Sequence, residues 1–232
     1  MILLLFIGCQ SKHQEDVADD PNASIDIKLD EYFTALMALK QFNGVVLVEK
    51  DDKMVFSSAY NLSNDPNSST YVTENHQFDL RSISKLIAKY AVYNLEEEGK
   101  ISVEDPINNY LMNFPNGDII TIRHLMYNQS GLPRELSDES VNLFEVEPPE
   151  LMELMKGESL EFEPGSDTRY SNLGFQLLYY IIEKINSNSF AQYVQNEIYD
   201  PLKMTSSGAH FYTDRNNLKN FAAYHTMQDD RL

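Results

Sequence analysis

Residues 78–100 read "FDLRSISKLIAKYAVYNLEEEGK". This stretch predicts a helix from about Ser82 to Glu98, stopped at Gly99, because glycine is the usual residue just past a helix end. Each helical residue turns the direction by about 100°. With Ser82 set at zero, Ile83, Leu86, Ile87, Tyr90, Ala91, Tyr93 and Leu95 spread over most of the circumference, and Ala88 and Val92 close much of the rest. A helix apolar on most sides is expected to be buried on most sides. Its one narrow polar sector holds Ser82, Lys85 and Lys89. Residues three apart are neighbours on a helix surface, so Ser82 and Lys85 form a pair at the helix start.

Such a pair can do chemistry. A serine hydroxyl is a weak nucleophile and needs a base. A lysine amine serves only when neutral, and burial or the positive end of a helix dipole favours that form. Backbone N–H groups at the same helix start can stabilise a developing oxyanion. Spacing alone does not establish this. The chain holds 20 Ser and 12 Lys, so random placement gives roughly one S-x-x-K. The plain alternative is a solvated helix edge.

Working outward, 232 residues suffice for one large domain or two small ones. The apolar fraction of 42%, with 14 Tyr and 12 Phe, is that of a globular protein. The formal charge of −18 argues against a nucleic-acid partner, since no Lys/Arg stripe offsets it. Cys9 is the single cysteine, which excludes an intrachain disulfide and a cysteine-based zinc site. The five histidines lack metal-ligand spacing, and no metal or cofactor is expected. No stretch approaches the roughly 20 apolar residues that span a bilayer.

The N-terminus "MILLLFIGC" resembles the end of a bacterial lipoprotein signal, although its basic leader is missing and its apolar run is short. In that reading Cys9 is lipidated, residues 1–24 are signal and polar tether, and Cys9 is the only link to the membrane, on the periplasm-facing or outer-membrane side of a bacterial envelope. The alternative is a frayed terminus with a free thiol. Beyond the tether, apolar spacing over 25–41 predicts a helix, and 43–50 with 53–62 predict an antiparallel hairpin turning at Asp51-Asp52. Mostly helical segments follow from 105 to about 210, including 121–128, 148–157, 172–185 and 189–202. Strands followed by helices suggest α+β, yet two strands alone make a poor sheet.

Four segments in order carry a family resemblance: the Ser82 helix running into "EEEGKISVEDP", then "ITIRHLMYNQSGLP" (120–133), "FEPGSDTRYSNLGFQLLYYIIEKI" (162–185) and "YVQNEIYDPLKMTSSG" (193–208). Together they resemble the serine β-lactamase and penicillin-binding-protein superfamily, nearest its class C-like branch. The resemblance implies a β-lactamase/transpeptidase-like α+β fold over 25–232, an antiparallel sheet with a helical lobe at about 99–210. It also implies a serine hydrolase forming an acyl-enzyme on an amide or ester, whether a β-lactam, a D-amino-acid peptide or a small ester. Ser82 would be the nucleophile. Lys85 and Tyr170 would share the acid/base work, and Asn172 would bind a substrate amide. Without the family context, Tyr170 would read as a core tyrosine and Asn172 as a helix cap. Ser84 is assigned to packing and Ser130 to a turn. No G-x-S-x-G elbow, P-loop or dinucleotide fingerprint occurs.

The family's third motif, K-T-G or H-x-G on a strand flanking the site, does not occur after Asn172. The sequence is therefore read as a C-terminally truncated member, with the last strands and closing helix of the family absent. The alternative function is a catalytically dead remnant acting at most as a binding protein.

Overall fold

Asp51 and Asp52 both lie at positive φ, 53° and 57°, the backbone of a two-residue turn whose twist matches that of the strands it joins. Aspartate tolerates this region better than most residues. The turn links β1 (Gly44–Lys50) to β2 (Lys53–Tyr60). Gly44 pairs with Tyr60 at one end and Lys50 with Lys53 at the other, with a bulge between Val48 and Glu49. The hairpin stands where the sequence puts it, one residue shorter at its start and two at its end.

This computed structural model describes residues 24–141, 146, 148–209, 218 and 220–223; Cys9 and the N-terminal tether lie outside them. The chain divides into two compact units, Met1–Asp79 with Asn217–Leu232, and Leu80–Asn216.

In the first unit, α1 (Ile25–Ala38) packs on β2. Phe33 sits 5.0 Å from Phe42 and 5.6 Å from Tyr60, ring centre to ring centre. The Tyr60 hydroxyl donates to Asp30 at 2.7 Å, which ties the helix to the strand by a polar as well as an apolar contact. Among the described residues the sheet has two strands. One further pairing closes the unit: the Ala222 N–H donates to the Gln77 carbonyl at 2.8 Å, and the Gln77 N–H donates to the Asn220 carbonyl at 2.7 Å.

The second unit is helical. After a 3-10 turn at Arg81–Ile83 come α2 (Ser84–Glu97), α3 (Ile122–Met126), α4 (Pro148–Lys156), α5 (Asn172–Asn186) and α6 (Phe190–Val194), the last running into a π turn at Gln195–Tyr199. α5 is the hub and touches α2, α3, α4 and α6. Its Leu173, Phe175, Leu177, Leu178, Ile181 and Ile182 are fully or almost fully buried. Burying each such side chain contributes about 1.5–3 kcal/mol before chain entropy is counted, so α5 is the natural foundation for whatever its first residues carry.

Two expectations about the decisive helix need correction. Ser82 lies in the 3-10 turn ahead of α2, and the α-helix proper begins at Ser84. Arg81, at φ +48°, opens that turn with a left-handed residue, and the backbone is right-handed helical by Ile83 and Ser84. Burial is also one-sided. Ala88, Ala91, Val92 and Leu95 are fully buried, while Ile83, Leu86, Tyr90 and Tyr93 are exposed, Leu86 by 62%. The apolar residues surround the helix as the sequence says, but only the α5-facing side is covered among the described residues.

Candidate active site

The site is built where two chain segments are stitched together. The Ser130-Gly131-Leu132-Pro133 turn needs its glycine. Gly131 lies at φ +80°, and a β-carbon there would come within 2.2 Å of the Phe162 carbonyl oxygen. From this turn the chain pairs with 161–172. Gly131 accepts from the Glu161 N–H at 2.7 Å, Asn128 from Arg169 at 2.9 Å, and Arg134 from Asn172 at 2.9 Å. Ser171 is almost fully buried. Its hydroxyl donates to the Pro133 carbonyl at 2.8 Å and accepts from the Gly174 N–H at 3.0 Å, so it is the N-cap of α5. The cap belongs to Ser171, not to Asn172. That leaves the Asn172 side chain available for the site.

All four residues singled out in the sequence converge. The Ser82 hydroxyl and the Tyr170 hydroxyl share a hydrogen bond of 2.6 Å across 88 positions of chain. The Lys85 ammonium donates to Asn172 Oδ1 at 2.8 Å and lies 4.9 Å from the centre of the Tyr170 ring and 5.3 Å from that of Phe175. Ser82 is exposed, whereas Lys85, Tyr170 and Asn172 are half-buried. Lys85 thus faces Tyr170 and Asn172, and the partner at the Ser82 oxygen is the tyrosine.

Electrostatics favours that arrangement. Burial acts to raise the Tyr170 pKa, but polar contact with Lys85 and Ser82 and the positive charges of Lys85 and Arg134 outweigh it and hold the phenol below its usual value. A phenol that yields its proton more readily is ionised in a larger fraction of molecules near neutral pH, and the phenolate is the form that can take a proton from a neighbouring hydroxyl.

Two residues that sequence reasoning passed over also belong here. The Arg134 guanidinium stands 5.3 Å from the centre of the Tyr170 ring. Glu135 accepts a short hydrogen bond from Asn172 Nδ2. Their only signal in the sequence is adjacency to the Ser-Gly-Leu-Pro turn. Ser130 is buried and accepts from the Leu132 N–H at 3.3 Å, a role inside the turn. Among the described residues, no cluster of three or more His, Cys, Asp or Glu is placed to hold a metal ion.

The Beta-lactamase family profile matches residues 29–231, and the chain belongs to that family. A penicillin-binding protein of Bacillus subtilis (strain 168) is 30% identical over 184 residues, covering 77% of this chain and 40% of that protein. A solved D-stereospecific amidohydrolase from a Streptomyces species is 27% identical with a TM-score of 0.50, over 53% of this chain and 42% of its own. A penicillin-binding protein homologue of Pyrococcus abyssi, 23% identical, shares the fold at a TM-score of 0.73 over 90% of this chain and 50% of its own. The chain spans about two fifths of the length of the curated relatives it matches, 41% and 40% for two of them.

Proposed function

We propose that the chain carries the reactive centre of a serine hydrolase that cleaves an amide or ester through an acyl-enzyme. The observation that supports this most is the 2.6 Å contact between Ser82 and Tyr170, with a lysine behind the tyrosine. Ser82 Oγ attacks the substrate carbonyl carbon as its proton passes to the Tyr170 oxygen, giving a tetrahedral intermediate. Its oxyanion is met by the backbone N–H of Ser82, since the Ile83 and Ser84 N–H groups are donated to the Leu80 and Arg81 carbonyls within the turn. Collapse breaks the bond to the leaving amine or alcohol, which takes the proton back from Tyr170 and leaves an ester on Ser82. Water then gives its proton to the same phenolate and attacks the ester carbon; the bond to Ser82 Oγ breaks, the proton returns from Tyr170 to that oxygen, and the acid leaves. Lys85 keeps its proton in this scheme. It stabilises the phenolate electrostatically from 4.9 Å off the ring centre while donating to Asn172. Asn172 has a further N–H available for a substrate carbonyl.

The substrate is a β-lactam, a D-amino-acid peptide or a small ester, and an envelope location anchored through Cys9 goes with this reading. A fluorophosphonate probe and a chromogenic ester test it. Labelling and hydrolysis by the folded 232-residue chain, both abolished in Ser82→Ala, are the expected results. A folded chain that takes no label favours the binding-protein alternative instead.

A further inference from the structure

An asparagine amide has two nearly identical shapes related by a half-turn, and only its hydrogen-bond partners decide which one is populated. At Asn172 both partners are charged. Oδ1 accepts from the Lys85 ammonium at 2.8 Å, and Nδ2 donates to the Glu135 carboxylate. An ammonium can only donate and an ionised carboxylate can only accept. The reverse orientation would set N–H against N–H on one side and oxygen against oxygen on the other. One orientation is left.

Glu135 is itself held. It follows Pro133 and Arg134, whose carbonyls accept from the Ser171 hydroxyl at 2.8 Å and the Asn172 N–H at 2.9 Å. These bonds fix the glutamate backbone opposite the residue it contacts. Its side chain is about half exposed, at 48%, and its other charged neighbour, Arg134, stands 4.0 Å away. That is too long for a strong bond and leaves the contact with Asn172 dominant.

We propose that Glu135 is a positioning residue: it locks the Asn172 amide so that the amide oxygen holds Lys85 beneath Tyr170. It touches neither Ser82 nor the reacting atoms and acts through Asn172. The proposal rests on the acyl-enzyme reading for its effect on rate, but not for its effect on the amide.

The test uses the full chain labelled with 15N-asparagine, with the Asn172 side-chain amide assigned by its loss in Asn172→Ser, together with the rate of Ser82 labelling by a fluorophosphonate. In Glu135→Ala the Asn172 amide signal should move and exchange faster with solvent. Labelling should slow about tenfold, the scale of one charge-assisted hydrogen bond. Glu135→Gln restores an acceptor without charge and should recover most of both; a purely electrostatic role would leave it as slow as Glu135→Ala. The backbone spectrum reports folding in each variant. An Asn172 amide unmoved in both variants overturns the proposal, as does a native labelling rate in Glu135→Ala. If the native chain takes no label, the acyl-enzyme reading fails, and the amide signal alone still decides whether Glu135 sets the orientation.

Discussion

Tyr170 has two cations beside it, Lys85 and Arg134, whose charged groups lie 4.9 and 5.3 Å from the ring centre. Both act on the phenol in the same sense, toward easier loss of its proton. Removing one charge should push the value back up. In Arg134→Gln the rising limb of the pH profile for Ser82 labelling is therefore expected at higher pH than in the native chain, with the rate near neutrality about two- to fivefold lower, the range an exposed charge supports. A profile that does not move, or moves to lower pH, contradicts the assignment of Tyr170 as base. Ser82, Lys85, Tyr170 and Asn172 were legible because two short motifs sat in four ordered contexts. Arg134 and Glu135 were not: two charged residues after a proline look like any solvated loop, and only the pairing of 128–135 with 161–172 shows that they face the site. Nor could the spacing of Ser82 and Lys85 say which group reaches the hydroxyl. Ser82 stands in a 3-10 turn ahead of α2, and a wheel of about 100° per residue assumes α-helix from the first residue.

At the scale of the element, the start of α5 is the part on which the site depends most. Ser171 caps the helix and anchors it to Pro133 with the same oxygen. Ser171→Ala removes the cap, worth about 1 kcal/mol, and leaves the Pro133 carbonyl without this donor, a further cost of about 1–3 kcal/mol if no water replaces it. A loss of about 2–4 kcal/mol in chemical denaturation is expected, with Asn172 displaced as well. A loss below 1 kcal/mol would show that the stitch is dispensable. α5 was read from its apolar spacing almost to the residue, because a helix buried on several sides has little freedom in where it begins and ends. The hairpin was equally plain, since a short β-branched run, two aspartates and a second run leave few alternatives. α2 shows the converse. Composition says which residues are apolar, not how many sides are covered, and Leu86 and Tyr90 remain in water although their pattern reads as core.

Across the whole molecule the tyrosines set an alkaline limit. Burial pushes Tyr179 up to about 12, and burial also raises Tyr60, Tyr110, Tyr193 and Tyr199. The folded state holds these phenolic protons more tightly than the unfolded chain, which releases them near its ordinary value of about 10. Their contribution is therefore complete below that pH and is lost as the pH climbs from about 10 toward 12. Urea midpoints should be level between pH 7 and 9 and fall above pH 10. Tyr179→Phe, which removes one raised group, should soften the fall, and identical curves would contradict the burial argument. One long-range feature escaped the sequence altogether. The bridge between Gln77 and Phe221 is a single isolated pairing, and one pairing has no periodicity to read. It nonetheless makes the first unit discontinuous, with residues on both sides of the helical unit. During synthesis the hairpin and α1 leave the ribosome before the partner of Gln77, which waits until the described helices of the second unit have followed. The helical unit can close as soon as it is made, whereas the unit that holds the hairpin stays open until Asn220–Ala222 arrive.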